Sequence, residues 1–149
     1  MNDTNTKMGV ACVLIDEPKY GHAWTGHKTI WLSQRLGAYE TGKYACPGGM
    51  VDDTDASDVH AIQRELLEET GIDVKDLYRF KRSIVSSHPG GKSDKTQWFV
   101  LVLSDSYWKD EIPKNLEPHK HTPWKQYSLD DAKKLPLMVS TKDVLDKLL

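Results

Sequence analysis

The sequence predicts an α/β fold in which a mixed β-sheet is flanked by helices. Two observations carry this. Apolar runs of strand length alternate with a helix-length segment bounded by capping residues and a glycine. Several of those runs also follow one another directly, which favours a mixed sheet over a purely parallel one. Length and composition agree: 149 residues, 38% apolar and 28% charged, suit one domain over residues 1–149 with a sizeable core.

Residues 1–7 are polar and are expected to fray. "GVACVLI" (Gly9–Ile15) reads as a buried strand, and "TIWLSQR" (Thr29–Arg35) as the next. The turn-forming stretch between them makes the pair a hairpin with a long tip. "LGAYETGKYACPGG" is irregular and carries Gly37, Gly42, Pro47, Gly48 and Gly49. A helix then starts near Asp55 or Ser57, either of which caps, with Asp58 favourable in its first turn. Gly71 suits a left-handed stop. Leu77–His88 reads as one or two strands, "HPGGKSDK" as a turn, and Thr96–Ser104 as the strongest strand. The proline-bearing loop "PKNLEPHKHTPW" leads to a short strand, "KQYSL". Ser128 caps one or two helical turns, and Ser140–Leu149 reads as a terminal amphipathic helix.

The formal charge of −2 provides no basic field, so no stable nucleic-acid partner is expected. No apolar run approaches the roughly 18 residues of a membrane span. The start lacks the apolar core of a secretory signal. Cys12 and Cys46 are the only cysteines, which suggests reduced thiols in a cytoplasmic setting. A disulfide between them stays open at this stage.

The chemistry concentrates on the helix. Each residue turns it by about 100°, which places Val59, Ile62 and Leu66 on one side with Thr70 nearby. Glu65, Glu68 and Glu69 fall within an arc beside that stripe. Like charges at helical spacing cost roughly 0.2–0.5 kcal/mol per pair. A hard divalent cation such as Mg²⁺, which takes oxygen ligands, would relieve the repulsion. Pro47-Gly48-Gly49 precedes the helix, and its carbonyls can approach a metal closely because glycine lacks a Cβ. Arg64 can pair with or orient a neighbouring carboxylate.

"GG-x(5)-D-x(8)-RELLEETGI" resembles the Nudix box, G-x5-E-x7-R-E-U-x-E-E-x-G-U with U aliphatic. Arg64 to Ile72 match at every specified position. The first half departs, because Asp55 stands for the first Glu and one extra residue precedes Arg64. "KYACPGG" and "WLSQR" resemble the family's approach to the box. "PKNLEPHKHTPWKQYSLDDAKKLP" resembles the region after the last long strand in small nucleoside-triphosphate-cleaning members, whose pattern is "PKN-x-EP-x-K" followed by Trp. Relatives often carry Glu after that Trp. Here Lys125 follows Trp124, so a fourth acidic contact is absent or comes from Glu117.

The resemblance implies an α/β/α sandwich, its mixed sheet flanked by the Nudix helix and a C-terminal helix. It implies hydrolysis of a nucleoside diphosphate linked to another group. Glu65, Glu68, Glu69 and the Gly49 carbonyl would hold Mg²⁺, with Mn²⁺ as an alternative. Either Glu65 or Glu69 would be the general base, and Arg64 would position a glutamate. Arg35 is a candidate phosphate contact. Tyr44, Cys46, Leu137 and Met138 are candidates to line the nucleotide pocket, although each also suits the core. Trp31, Trp98, Phe99 and Cys12 read as core. The favoured reaction turns a (deoxy)nucleoside triphosphate into monophosphate and pyrophosphate. The alternatives are a dinucleoside polyphosphate, sugar nucleotide or capped RNA as substrate, or a non-catalytic nucleotide sensor. Family members are often homodimers, but nothing in the sequence displays an interface.

Three other signals fail on their own terms. "SSHPGGKS" lacks the first glycine of a phosphate loop and leads into a strand, not a helix. The stretch from Asp53 begins like a calcium loop, but Asp58 replaces the turn glycine and Arg64 the last Glu. His119 and His121 have no nearby cysteine to complete a zinc site.

Overall fold

The computed structural model describes residues 8–17, 28–87, 94–103, 105–106 and 109–148. The expected frayed start at 1–7, the tip of the first connection at 18–27 and the glycine-rich turn at 88–93 lie outside them.

Strand β1 (Met8–Asp16) is apolar on both faces, and this sets the layering. Side chains alternate along a strand. Val10, Cys12 and Leu14 enter one buried cluster with Ile62, Leu66 and Phe99. Ala11 and Val13 enter a second, with Leu32, Trp98 and Leu145. A strand buried on both faces needs cover on both sides, and the fold is accordingly an α/β/α sandwich.

The sheet adds β2 (Thr29–Gln34), β3 (Tyr44–Ala45), β4 (Gly48–Met50), β5 (Lys81–Ser87), β6 (Lys95–Val102) and β9 (Lys125–Ser128). A separate two-strand ribbon pairs β7 (Asp105–Ser106) with β8 (Lys109–Asp110). The main order is β3-β2-β1-β6-β5, with β4 on β1 and β9 on β2. β1 runs parallel to β6 over Met8–Ile15, while its pairings with β2 and β4 are antiparallel. The sheet is therefore mixed, as its direct strand-to-strand connections require. The expected β1–β2 hairpin exists only at its root, where Ile15 faces Ile30 and Asp16 faces Thr29. Beyond that point β4 takes the edge of β1 at Gly9–Ala11 and β3 pairs with β2 at Ser33 and Gln34, while β9 pairs with Thr29–Leu32 on the other edge of β2.

Helix α1 (Asp58–Thr70) packs on β1 and β4. Ser57 is its N-cap and accepts from the His60 N–H, and Gly71 closes it at φ 77°. On the other face lie α2 (Leu129–Lys133), capped by Ser128, and α3 (Val139–Leu148). Cys12 and Cys46 are both buried free thiols. Among the described residues no helix is long and apolar enough to cross a membrane.

The loop after β8 is tied down at two ends. Lys114 N–H donates to the Thr70 carbonyl at the end of α1 (3.0 Å). Leu36 N–H donates to Lys120 O and Thr122 N–H to Gln34 O, both at 2.9 Å, so residues 120–122 lie along the end of β2. An L-residue in the left-handed region costs roughly 1–2 kcal/mol. Gly71→Ala is therefore expected to destabilise the protein by about that amount, read as a lower urea midpoint at unchanged slope.

Candidate active site

The three glutamates of α1 do not share one environment. The expectation was a row of carboxylates at the rim of the apolar stripe. Instead Glu69 is buried at 8% exposure and belongs to the inward face with Ile62, Leu66 and Thr70. The Glu65 side chain is 15% exposed, and that of Glu68 is 51% exposed. Residues 65 and 69 are one turn apart, so they project together toward β4. Glu68 points to solvent, reaches Arg64 Nη1 at 3.4 Å, and is not among the residues lining the cleft.

Glycine makes that projection possible. A Cβ on Gly49 would sit 2.4 Å from the Glu65 carboxylate, and one on Gly48 would sit 2.4 Å from the Val10 carbonyl. A side chain at Gly48 would push against the backbone of β1, and one at Gly49 would displace the Glu65 carboxylate. The Gly48 N–H donates to Glu69 Oε2 at 3.1 Å.

Arg64 anchors the arrangement from the outside. Its Nε and Nη2 donate to the two oxygens of Asp55, both at 2.9 Å, and Nη2 also reaches the Met50 carbonyl at 3.0 Å. Nη1 donates to Glu65 Oε2 at 3.0 Å. Asp55, the departure in the first half of the motif, thus holds the arginine that holds Glu65. The Arg64 guanidinium lowers the Asp55 pKa to about 2.

Burial acts oppositely on the inner pair. Desolvation raises the Glu69 carboxyl well above its ordinary range, and the neighbouring Glu65 adds to the shift. Desolvation raises Glu65 as well, and the two carboxyls hydrogen-bond one another. A proton shared between them, or a cation, offsets the repulsion.

These groups line a cleft of about 860 Å³. Its other walls bring Arg35, Glu117, Lys120 and His121 to the same space. Lys120 Nζ pairs with Glu117 Oε2 at 3.2 Å, and this contact raises the lysine pKa. The Arg35 side chain is steadied by Nε donating to the Tyr39 carbonyl at 2.8 Å. Of the apolar candidates, Cys46 and Met138 line the cleft. Tyr44 and Leu137 pack against the second core cluster behind it. Trp98, read as core, is buried at 1% exposure yet also borders the cleft. Lys125 lies exposed on β9 and does not border the cleft. The sequence assigns Lys120 no role, and it offers His121 only with His119 as a weak zinc pair. The signal for Lys120 is the last position of "PKN-x-EP-x-K", whereas for His121 the sequence offers only the pairing with His119, and nothing in it indicates the carboxylates that the fold brings near.

The donors fit a hard divalent ion: two clustered carboxylates, a glycine backbone without a Cβ, and a third acid, Glu117, across the cleft. A family model for the NUDIX domain matches residues 6–148. The chain belongs to the NUDIX family. By that membership it is a hydrolase of the pyrophosphohydrolase kind. Among solved structures it is similar to a MutT NUDIX hydrolase from Burkholderia pseudomallei, 24% identical, covering 97% of this chain and 99% of that one at a TM-score of 0.73. The NUDIX domain of Shewanella oneidensis NrtR complexed with ADP ribose is 17% identical, with 97% and 87% covered and a TM-score of 0.70. A C. elegans Ap4A hydrolase is 19% identical, with 96% and 95% covered and a TM-score of 0.66. Comparison with curated proteins found no match.

An acid whose folded pKa is depressed contributes stability above its unfolded value and loses it as pH falls through the folded one. The Asp55–Arg64 contribution should therefore be complete above about pH 4 and vanish toward pH 2. Asp55→Asn is expected to flatten that part of the acid limb in thermal melts taken from pH 5 to pH 2.

Proposed function

We propose that this NUDIX protein hydrolyses (deoxy)nucleoside triphosphates to monophosphate and pyrophosphate, with Mg²⁺ or Mn²⁺ held by Glu65, Glu69 and the Gly49 carbonyl and Glu68 at the outer edge. The observation that carries this is the buried Glu65–Glu69 pair opening into a cleft that also presents Arg35 and Lys120. Acid at one place and base at another is what a cation–polyphosphate complex needs. A bound dication would neutralise phosphate charge and acidify a water molecule.

The protein's own groups supply the rest. Arg35 offers a guanidinium fork to phosphate oxygens. Lys120, with a side chain 60% exposed, has the reach to meet a phosphate as a point charge. Glu65 or Glu69 accepts the proton of the attacking water. Their raised affinity for protons brings a carboxylate closer to the working range of a base near neutral pH. Arg64 keeps Glu65 against Gly49. The cleft volume falls in the range of small-ligand pockets, and Cys46, Met138 and Trp98 give it apolar wall for a base.

A second reading keeps the chemistry and changes the substrate. The similar fold of an Ap4A hydrolase, together with the size of the cleft, supports a dinucleoside polyphosphate. A nucleotide panel with Mg²⁺ separates the two. Pyrophosphate released from a nucleoside triphosphate supports the first, and a pair of mononucleotides supports the second. Binding without turnover across the panel would contradict both and favour a sensor.

Removing the base's charge while keeping its shape tests the site directly. Glu65→Gln and Glu69→Gln are each expected to retain the fold. The variant that loses the base should fall in kcat by roughly 10²–10⁴-fold. Gly49→Ala should also inactivate the enzyme, because its methyl group occupies the place of the Glu65 carboxylate.

A further inference from the structure

His121 sits in this cleft with no task in the proposed chemistry. It is 6% exposed and lies against Trp124, with ring centroids 4.6 Å apart. Its backbone bridges to Arg35, which fixes the loop to the end of β2. Nδ1 lies 3.0 Å from the Thr122 carbonyl oxygen. A carbonyl only accepts, so Nδ1 carries the proton and Nε2 presents its lone pair. Nε2 is buried and has no hydrogen-bond partner among the described residues.

This is the arrangement of a metal-binding imidazole: one nitrogen held by a backbone carbonyl, the tautomer thereby set, the other nitrogen free. Two carboxylates complete the set. Ligand atoms of Glu69, Glu117 and His121 all lie within 4.8 Å of one another. Donors around one ion with bonds of about 2.1 Å stand about 3–4 Å apart, so small rotations of the two glutamates suffice.

We propose that His121, with Glu69 and Glu117, gives this chain a mixed imidazole–carboxylate site for a borderline divalent cation of the Mn²⁺-to-Zn²⁺ series, in preference to Mg²⁺. An all-oxygen set suits Mg²⁺, whereas an imidazole donor shifts affinity toward the later ions. Lys120 is the other charge facing Glu117. Its exposed stem lets it turn toward a phosphate while Glu117 keeps the cation. The inference rests on reading this corner of the cleft as its cation end.

The test uses the full chain, stripped by a chelator, with Mn²⁺ as the probe. Pulsed electron paramagnetic resonance of the Mn²⁺ protein should show ¹⁴N modulation from a directly bound imidazole. His121→Gln should lose that modulation and weaken Mn²⁺ binding roughly tenfold or more, with Mg²⁺ affinity unchanged and the fold checked by circular dichroism. Mn²⁺ bound to the wild-type protein without ¹⁴N modulation overturns the proposal, and that result needs no folded variant. Equal losses for Mn²⁺ and Mg²⁺ in His121→Gln overturn the preference. If the ¹⁴N signal is missing while Mg²⁺-dependent nucleotide hydrolysis persists, only this inference fails. If neither ion binds and no nucleotide is cleaved, the functional reading fails with it.

Discussion

The placement of Glu69 out of water beside a second carboxylate is the constraint on which the rest of the molecule depends. A helix gains nothing by burying an acid against another acid, and both carboxyls are pushed toward their protonated forms as a result. The surrounding structure makes the placement tolerable. Gly48 donates its N–H to Glu69, Gly49 leaves room for Glu65, and Arg64 fixes Glu65 from the solvent side. Each feature opposes the local preference of an acidic helix, and together they make sense when positive charge arrives in the cleft.

The architecture serves this corner. β1 is buried on both faces, so it is a rigid reference for both α1 and β4, and the short β4 pairing brings the two glycines under the helix. The loop carrying Glu117, Lys120 and His121 is pinned at Thr70 on one side and at β2 on the other. Acid from the helix and mixed charge from the loop therefore face each other across a gap set by backbone hydrogen bonds, which hold distances more firmly than side chains do.

Much of the fold was legible because its signals are local. Ser57 and Gly71 bound α1 where capping chemistry places them, and the apolar runs at Gly9–Ile15 and Thr96–Ser104 became the central parallel pair. The hairpin between β1 and β2 was over-read. A turn-rich connection indicates that two strands are joined, but it does not say how far they stay paired, and here β4 takes the edge of β1 while β3 pairs with the far end of β2. In the site, spacing along the helix placed Glu65 and Glu69 on neighbouring turns. Depth depends on what packs above the helix, so the split between buried Glu69 and exposed Glu68 was not visible. The same limit separated Cys46 and Met138, which border the cleft, from Tyr44 and Leu137, which are half-buried against the second cluster that Cys46 itself belongs to. His121 acquires its setting from its near neighbours Glu117, Thr122 and Trp124 and from Glu69, distant in sequence, and periodicity carries no trace of that.

If the Glu65–Glu69 pair is a cation site in waiting, binding a dication must expel the proton that burial favours there. Calorimetric titration of Mg²⁺ into the protein at mildly acidic pH, repeated in buffers of different ionisation enthalpy, counts that proton. The account predicts net proton release on binding, an affinity that rises with pH, and loss of the released proton in Glu69→Gln. Mg²⁺ binding with no proton released, or release unchanged in that variant, would contradict it.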